Sequence, residues 1–174
     1  MSETAEPLNI LIAMDFSDEI LNEIQSLAPN IHVARHTRDI PENAWKEAEI
    51  LYTGNRFPQP GQAPNLRWVQ LHSAGVNHAM QHDIFHDENI TVTSASGIHA
   101  TQIANYCMMM ILAFQFQLPR MMVYQRQSKW PEKQYEIFRP VDLNKKTVGI
   151  VGYGSIAREL ARLADSFGMT VLAS

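Results

Sequence analysis

Gly152 and Gly154, with the small residue Ala157 following them, are the residues of this chain whose types and spacing best suit chemistry. They come straight after the apolar run Thr147-Val148-Gly149-Ile150-Val151 and open a helical pattern. Each position has its own physical task. Gly152 allows a tight turn out of a strand, Gly154 lets an anion as large as a pyrophosphate approach the backbone, and Ala157 lets the helix lie close to the strand. The N-terminus of that helix then aims free N–H groups at the anion, and its dipole favours negative charge. Gly152, Tyr153, Gly154, Ser155 and Ile156 are therefore the candidate cofactor-binding residues, and a dinucleotide is the expected ligand. A turn of this kind can also join a strand to a helix with no ligand. The strand before it, the amphipathic helix after it and a second strand at the end of the chain raise the reading above that alternative. The side chain that chooses between NAD and NADP is expected about 20 residues after the glycines. Ser174 stands at that point. The choice of cofactor is left open, and the nucleotide unit is expected to be incomplete.

The elements that hold this turn are legible as periodicity. Val148, Ile150 and Val151 are β-branched and suit a buried parallel strand. Ile156, Leu160, Leu163, Ala164 and Phe167 share one helical face, with Arg158, Glu159, Arg162 and Asp165 elsewhere. Gly168 stops the helix, and residues 169–173 make the next strand. Upstream, residues 8–16, 31–34, 49–53, 66–71 and 90–93 read as strands. Between them lie two helices. One starts after the N-cap Ser17, with Asp18 and Glu19 in its first turn and Ile20, Leu21, Ile24, Leu27 and Ala28 inward. The other starts with Pro41 at its first position, with Trp45 and Ala48 inward. Residues 56–64 hold three prolines and a glycine, so they form a loop. Strands alternating with helices imply an α/β fold around an open, mostly parallel sheet. A second unit begins near Gly97. A helical stretch runs from Thr101 to about residue 124, breaking at Pro119. Within it, residues 103–116 read as a buried helix, too short and too polar to span a bilayer. Residues 125–146 are polar and irregular, with Trp130, Tyr135 and Phe138 spaced through them.

Composition narrows the function classes. A chain of 174 residues that is 45% hydrophobic can build one ordinary domain or two small ones. A net charge of −4 argues against a nucleic-acid surface. Residues 1–7 are polar and acidic and lack the basic start and apolar stretch of a signal peptide, so they read as a flexible tail. Cytoplasm is the expected location. The single cysteine, Cys107, rules out an internal disulfide and reads as inert core. His78, His82 and His86 recur every four residues beside Asp83 and Asp87 and could line a helix face. Nothing closes the set with a cysteine or a second cluster, so no metal site is expected. His72 and His99 read as polar rim or backbone partners, not general bases.

Four stretches together resemble the D-isomer-specific 2-hydroxyacid dehydrogenase family, which includes phosphoglycerate dehydrogenases and glyoxylate and hydroxypyruvate reductases. Leu66-Arg67-Trp68-Val69-Gln70-Leu71-His72-Ser73-Ala74-Gly75-Val76-Asn77-His78 resembles the family's substrate loop, and Thr91-Val92-Thr93-Ser94-Ala95-Ser96-Gly97-Ile98-His99-Ala100-Thr101 its crossover. The third stretch runs from Ile103-Ala104 to Leu118-Pro119, with Gln125 and Trp130, and resembles the interdomain helix and dimer arm. The fourth runs from Leu143-Asn144-Lys145-Lys146-Thr147 through the glycine turn to Ala173.

The resemblance implies a flavodoxin-like substrate domain over residues 8–97. Residues 98–174 would then hold an interdomain helix, a dimer arm and the first βαβ part of a Rossmann NAD(P)-binding domain. Ser73, Ala74, Gly75 and Val76 are the implied substrate-binding residues, with the N–H groups of Ala74 and Gly75 on the substrate carboxylate. By residue type alone this loop is equally a turn after a strand. Thr101 is implied to lie near the cofactor, and by type alone is equally a helix N-cap. Asn77 stands where the family commonly has Asp, Asn105 where it commonly has Glu, and Ala157 replaces the frequent third glycine. The implied reaction is NAD(P)-dependent hydride transfer between a small D-2-hydroxy acid and its 2-keto acid. Its arginine, acid and histidine belong beyond Ser174, so no catalytic residue is assigned and the 174-residue chain alone is expected to be inactive. A homodimer through about residues 101–145 is implied, with neither nucleic acid nor membrane as partner. Two other readings stay open: an NAD-responsive regulatory protein of the same fold, and an inactive truncated fragment that associates through its exposed strand edge.

Overall fold

The computed structural model describes residues 6–139 and 141–174. Most of the tail expected over residues 1–7 therefore lies outside the described residues. The chain divides into two compact units, one ending at Ser96 and the other starting at Gly97.

The first unit is built on five parallel strands: β1 (Leu8–Ile12), β2 (Ile31–Arg35), β3 (Ile50–Thr53), β4 (Trp68–Leu71) and β5 (Thr91–Thr93). Their order in the sheet is β2-β1-β3-β4-β5. Helix α1 (Asp18–Ser26) joins β1 to β2, and α2 (Glu42–Glu47) joins β2 to β3. The two crossovers run in opposite directions along the sheet, so right-handed connection puts these helices on opposite faces. On the α2 side, Leu11, Leu51, Val69 and Leu71 are fully buried, and Trp45, Ala48, Leu66, Ala79 and Ile84 close around them. Thr53 is the polar member of this region. Its hydroxyl is satisfied twice by Arg56, accepting from the backbone N–H and donating to the carbonyl, each at 2.9 Å.

Several boundaries differ from the sequence reading. β1 ends at Ile12, not at residue 16, because the chain turns where Phe16 N–H donates to the Met14 carbonyl. β4 starts at Trp68, since Leu66 N–H closes a turn onto the Ala63 carbonyl. Pro41 is the N-cap of α2, not its first residue, and holds extended backbone at ψ 151°. Ser17 caps α1 without a side-chain hydrogen bond. The inward face expected for α1 is only half covered: Ile20 is 42% and Leu27 74% exposed. Residues 78–82 form turns, and Asp83–Phe85 is a single 3-10 turn, so His78, His82 and His86 do not line a helix face. His82 instead packs its ring on Phe57 at 4.4 Å.

The second unit contains α3 (Ala100–Gln115), α4 (Leu118–Arg126), the short α5 (Gln134–Ile137), β6 (Thr147–Ile150), α6 (Ser155–Ser166) and β7 (Thr170–Ala173). The helix break falls at Gln117, which adopts left-handed backbone (φ 54°), two residues before the expected Pro119. Proline lacks an N–H and is tolerated in a first turn, so Pro119 opens α4. α3 is not the buried helix expected. Only Ala104 and Met108 are buried, while Tyr106, Met109, Met110 and Phe114 are mostly exposed. β6 and β7 pair in parallel from Thr147↔Thr170 to Ile150↔Ala173. The buried stripe of α6 is Ala157, Ala161 and Ala164, with Ile156 and Phe167 exposed at 37% and 41%. Leu160, Leu163 and Ala164 of the expected face do pack on the core, and Ala157 and Ala161 widen the buried stripe beside them. Met108, Leu143, Ala164 and Met169 form the core of this unit.

Candidate functional site

In the second unit, β6 leads into a turn in which Gly152 holds φ 83°, a region that side chains other than glycine rarely adopt. Gly154 is the N-cap of α6 and provides no capping side chain. A Cβ placed on Gly154 would meet no atom within 4 Å. Internal packing therefore does not require the glycine, and it leaves open space at the helix N-terminus. The N–H groups of Ser155, Ile156 and Ala157 have no acceptor among the described residues; the first intrahelical bond at this end runs from Arg158 N–H to the Gly154 carbonyl. Unpaired donors, the helix dipole and a side-chain-free approach fit a pyrophosphate. Arg158 adds a positive group here, its guanidinium lying 3.3 Å from the Tyr153 carbonyl. The sequence reading had set this residue apart with the polar face. Ser174 lies beside the turn, accepting from Gly152 N–H at 2.8 Å and donating its own N–H to the Ile150 carbonyl. Along α6, Glu159 and Arg162 hydrogen-bond each other, which lowers the carboxyl pKa and raises that of the guanidinium. The pair is exposed and adds little to stability. Thr101 lies in the first turn of α3, is exposed, and is not the N-cap; His99 holds that position.

In the first unit, Ser73, Ala74, Gly75 and Val76 follow β4 at the C-terminal edge of the parallel sheet. The loop is tied down on several sides. His72 N–H donates to the Thr53 carbonyl (2.8 Å), Ala95 N–H donates to the Ser73 carbonyl (3.0 Å), and the Ser73 hydroxyl donates to the Gly75 carbonyl (2.8 Å). His78 Nε2 contacts the Gly54 carbonyl at 2.7 Å, so it is His78 that serves as the backbone partner in this loop. The N–H groups of Ala74, Gly75 and Val76 have no acceptor among the described residues, and Ala74 and Gly75 are exposed. Successive free N–H groups on a braced turn are an anion-binding arrangement.

Beside this loop is a cluster that sequence reasoning missed. Phe16 follows β1, Tyr52 lies on β3 and His72 follows β4. Their ring centroids are 5.1 Å (Phe16–Tyr52), 5.9 Å (Tyr52–His72) and 6.4 Å (Phe16–His72) apart. Tyr52 Oη and His72 Nδ1 are 2.9 Å apart. Burial pushes the Tyr52 phenol above its usual pKa. Arg35 steadies the segment that carries Phe16, bonding the Phe16 carbonyl and pairing with Asp18 at 2.9 Å. Position was the only available signal: each residue lies at the C-terminal end of a parallel strand, where ligands of open α/β sheets bind. Among the described residues no group of three His, Cys, Asp or Glu side chains could hold a metal, and no helix is long and apolar enough to cross a membrane.

Residues 108–174 match the family model for the NAD binding domain of D-isomer specific 2-hydroxyacid dehydrogenases, which makes the cofactor class a nicotinamide dinucleotide. The chain is 31% identical over 87 residues to a hydroxypyruvate reductase of Thermotoga maritima, covering 50% of this chain and 28% of the relative. It is 25% identical over 134 residues to a hydroxypyruvate reductase of Blautia hydrogenotrophica, covering 73% and 41%. The chain thus spans less than half the length of these relatives. The crystal structure of a D-isomer specific 2-hydroxyacid dehydrogenase family protein from Aeromonas salmonicida has the same fold, with a TM-score of 0.79 at 23% identity over 97% of this chain and 53% of that one. Residues 108–174, which carry the glycine turn, thus match the NAD binding domain of the D-isomer specific 2-hydroxyacid dehydrogenases, and the fold is the one seen in the solved protein of that family.

Proposed function

We propose that this chain carries the carboxylate-binding loop and the pyrophosphate-binding turn of an NAD(P)-dependent oxidoreductase that interconverts a D-2-hydroxy acid and its 2-keto acid. The observation that carries the reading is the pair of donor sets, each on a rigid edge and each without an internal acceptor: Ala74, Gly75 and Val76 in one unit, Ser155, Ile156 and Ala157 in the other. The first set holds the substrate carboxylate, the second the cofactor pyrophosphate, and Thr101 contributes to the cofactor side. The bound nicotinamide supplies hydride exchange with the substrate C2. The chain's own share is binding and orientation. By the family resemblance, the groups that clamp the keto acid and pass the proton lie after position 174, so the 174-residue chain is proposed to bind without turning over.

The test is an amide NMR titration of the 174-residue protein with hydroxypyruvate. The expected result is saturable movement of the Ala74, Gly75 and Val76 amides, with no NADH oxidation in a parallel assay. Amides that stay still at saturating acid overturn the reading.

A second copy is proposed to pack along α3 and α4. Support comes from the exposure of Tyr106, Met109, Met110 and Phe114, and from an apolar groove of about 410 Å³ lined by Leu118, Met122, Trp130 and Phe138. Sedimentation is expected to give a mass near twice 19.8 kDa; a monomer at high protein concentration contradicts it.

A further inference from the structure

We infer that His72, held by Tyr52, selects 2-keto acids whose C3 substituent carries a hydrogen-bond acceptor such as a hydroxyl or an acid group. The inference rests on the function proposed above and names the substrate class of that same site.

The sheet order β2-β1-β3-β4-β5 reverses direction between β1 and β3. Loops leaving the C-terminal ends of those two strands diverge to opposite faces, which opens the crevice where doubly wound sheets bind ligands. Phe16 and Tyr52 flank that point. His72 joins them from β4 and is the residue immediately before the loop whose free N–H groups take the carboxylate. A keto acid anchored there by its carboxylate has its C3 substituent only a few bond lengths away. The wall it meets is not uniformly apolar, because the aromatic cluster contains the Tyr52–His72 hydrogen bond.

That bond determines which edge of His72 faces a ligand. We take the Tyr52 O–H as the donor across this 2.9 Å contact, which leaves Nδ1 as the acceptor. A neutral imidazole whose Nδ1 accepts must carry its hydrogen on Nε2. Nε2 has no acceptor among the described residues, and the ring is exposed. The pair therefore presents a fixed N–H donor beside the carboxylate loop. An alkyl C3 group leaves this donor unsatisfied when it displaces water, whereas an oxygen at C3 accepts from it. Tyr52 acts through His72 and is a positioning residue.

Hydroxypyruvate and 2-oxobutyrate test this cleanly, since they differ by a hydroxyl against a methyl at one position. Both are titrated into the 174-residue protein, read at the Ala74–Val76 amides and at the ring nitrogens of His72. A hydrogen bond of ordinary strength predicts about 5-fold tighter binding of hydroxypyruvate. His72→Phe and Tyr52→Phe should bring the ratio to about 1, with 2-oxobutyrate affinity nearly unchanged. In Tyr52→Phe the His72 ring nitrogens should lose the Nε2–H pattern, a change that mere loosening of the loop does not produce. Equal affinities in the native protein, or a ratio that survives both substitutions, overturn the inference while leaving the proposed function standing. Failure of both acids to move the loop amides counts against the inference and the proposed function alike.

Discussion

Gly154→Val is expected to lower dinucleotide affinity by about 100-fold at only a small loss of thermal stability. The open space around a Cβ at this position separates the two effects. A Cβ added here meets nothing in the protein, and φ −81° lies outside the left-handed region, so the cost to the fold is confined to the poorer N-cap. The volume the side chain fills is the approach to the donors of Ser155, Ile156 and Ala157. Hydrogen bonds to a charged group contribute about 1.5–3 kcal/mol each, so losing one or two of them corresponds to about two orders of magnitude. Gly152→Val makes the contrasting case. There φ is 83°, so substitution strains the backbone by about 1–2 kcal/mol and should lower stability as well as binding. Calorimetric NAD titration and a melting curve on both variants check the pair. A Gly154→Val protein that binds as the native chain does would remove the pyrophosphate from this turn.

Leu51→Ala is expected to have the largest effect on stability. Leu51 lies on β3, between β1 and β4, and has no solvent-exposed surface. Truncating a buried leucine costs about 2–5 kcal/mol, against a total stability of about 5–15 kcal/mol for a typical domain. For a unit of this size each kcal/mol lowers the midpoint by about 4–8 °C, so the first unit should melt roughly 15 °C lower. The second unit has its own core around Met108, Leu143, Ala164 and Met169. Its melting should be preserved, and differential scanning calorimetry should separate the two transitions. An unshifted first transition would mean that β3 is not the centre of that core.

Sequence alone revealed the elements that have a strong local cause. Strand-helix alternation located every strand of the first unit to within a few residues, because buried parallel strands are short apolar runs bounded by turns. The glycine turn was legible for the same reason: Gly152 and Gly154 are demanded by local backbone and ligand geometry, not by distant packing. Partners far apart in sequence were not legible. Nothing in the sequence near Tyr52 announces His72, and their hydrogen bond depends on the register that places Tyr52 opposite Gln70 on β4. The histidine ladder misled because four-residue spacing implies a helix only where helix forms, and residues 78–86 fold as turns. α6 was legible in its middle, where Leu160, Leu163 and Ala164 face the core, and not at its ends, where Ile156 and Phe167 are exposed. The exposed flank of α3 has a related cause, since apolar periodicity does not say whether the covering surface belongs to the same chain.

One titration tests the central claim most directly: NAD added to the 174-residue protein, followed by the backbone amide spectrum. The account predicts saturable shifts concentrated at Gly152, Gly154, Ser155, Ile156 and Ala157, with the first unit's sheet amides unmoved. Shifts that spare these residues, or their absence at millimolar NAD, would contradict it.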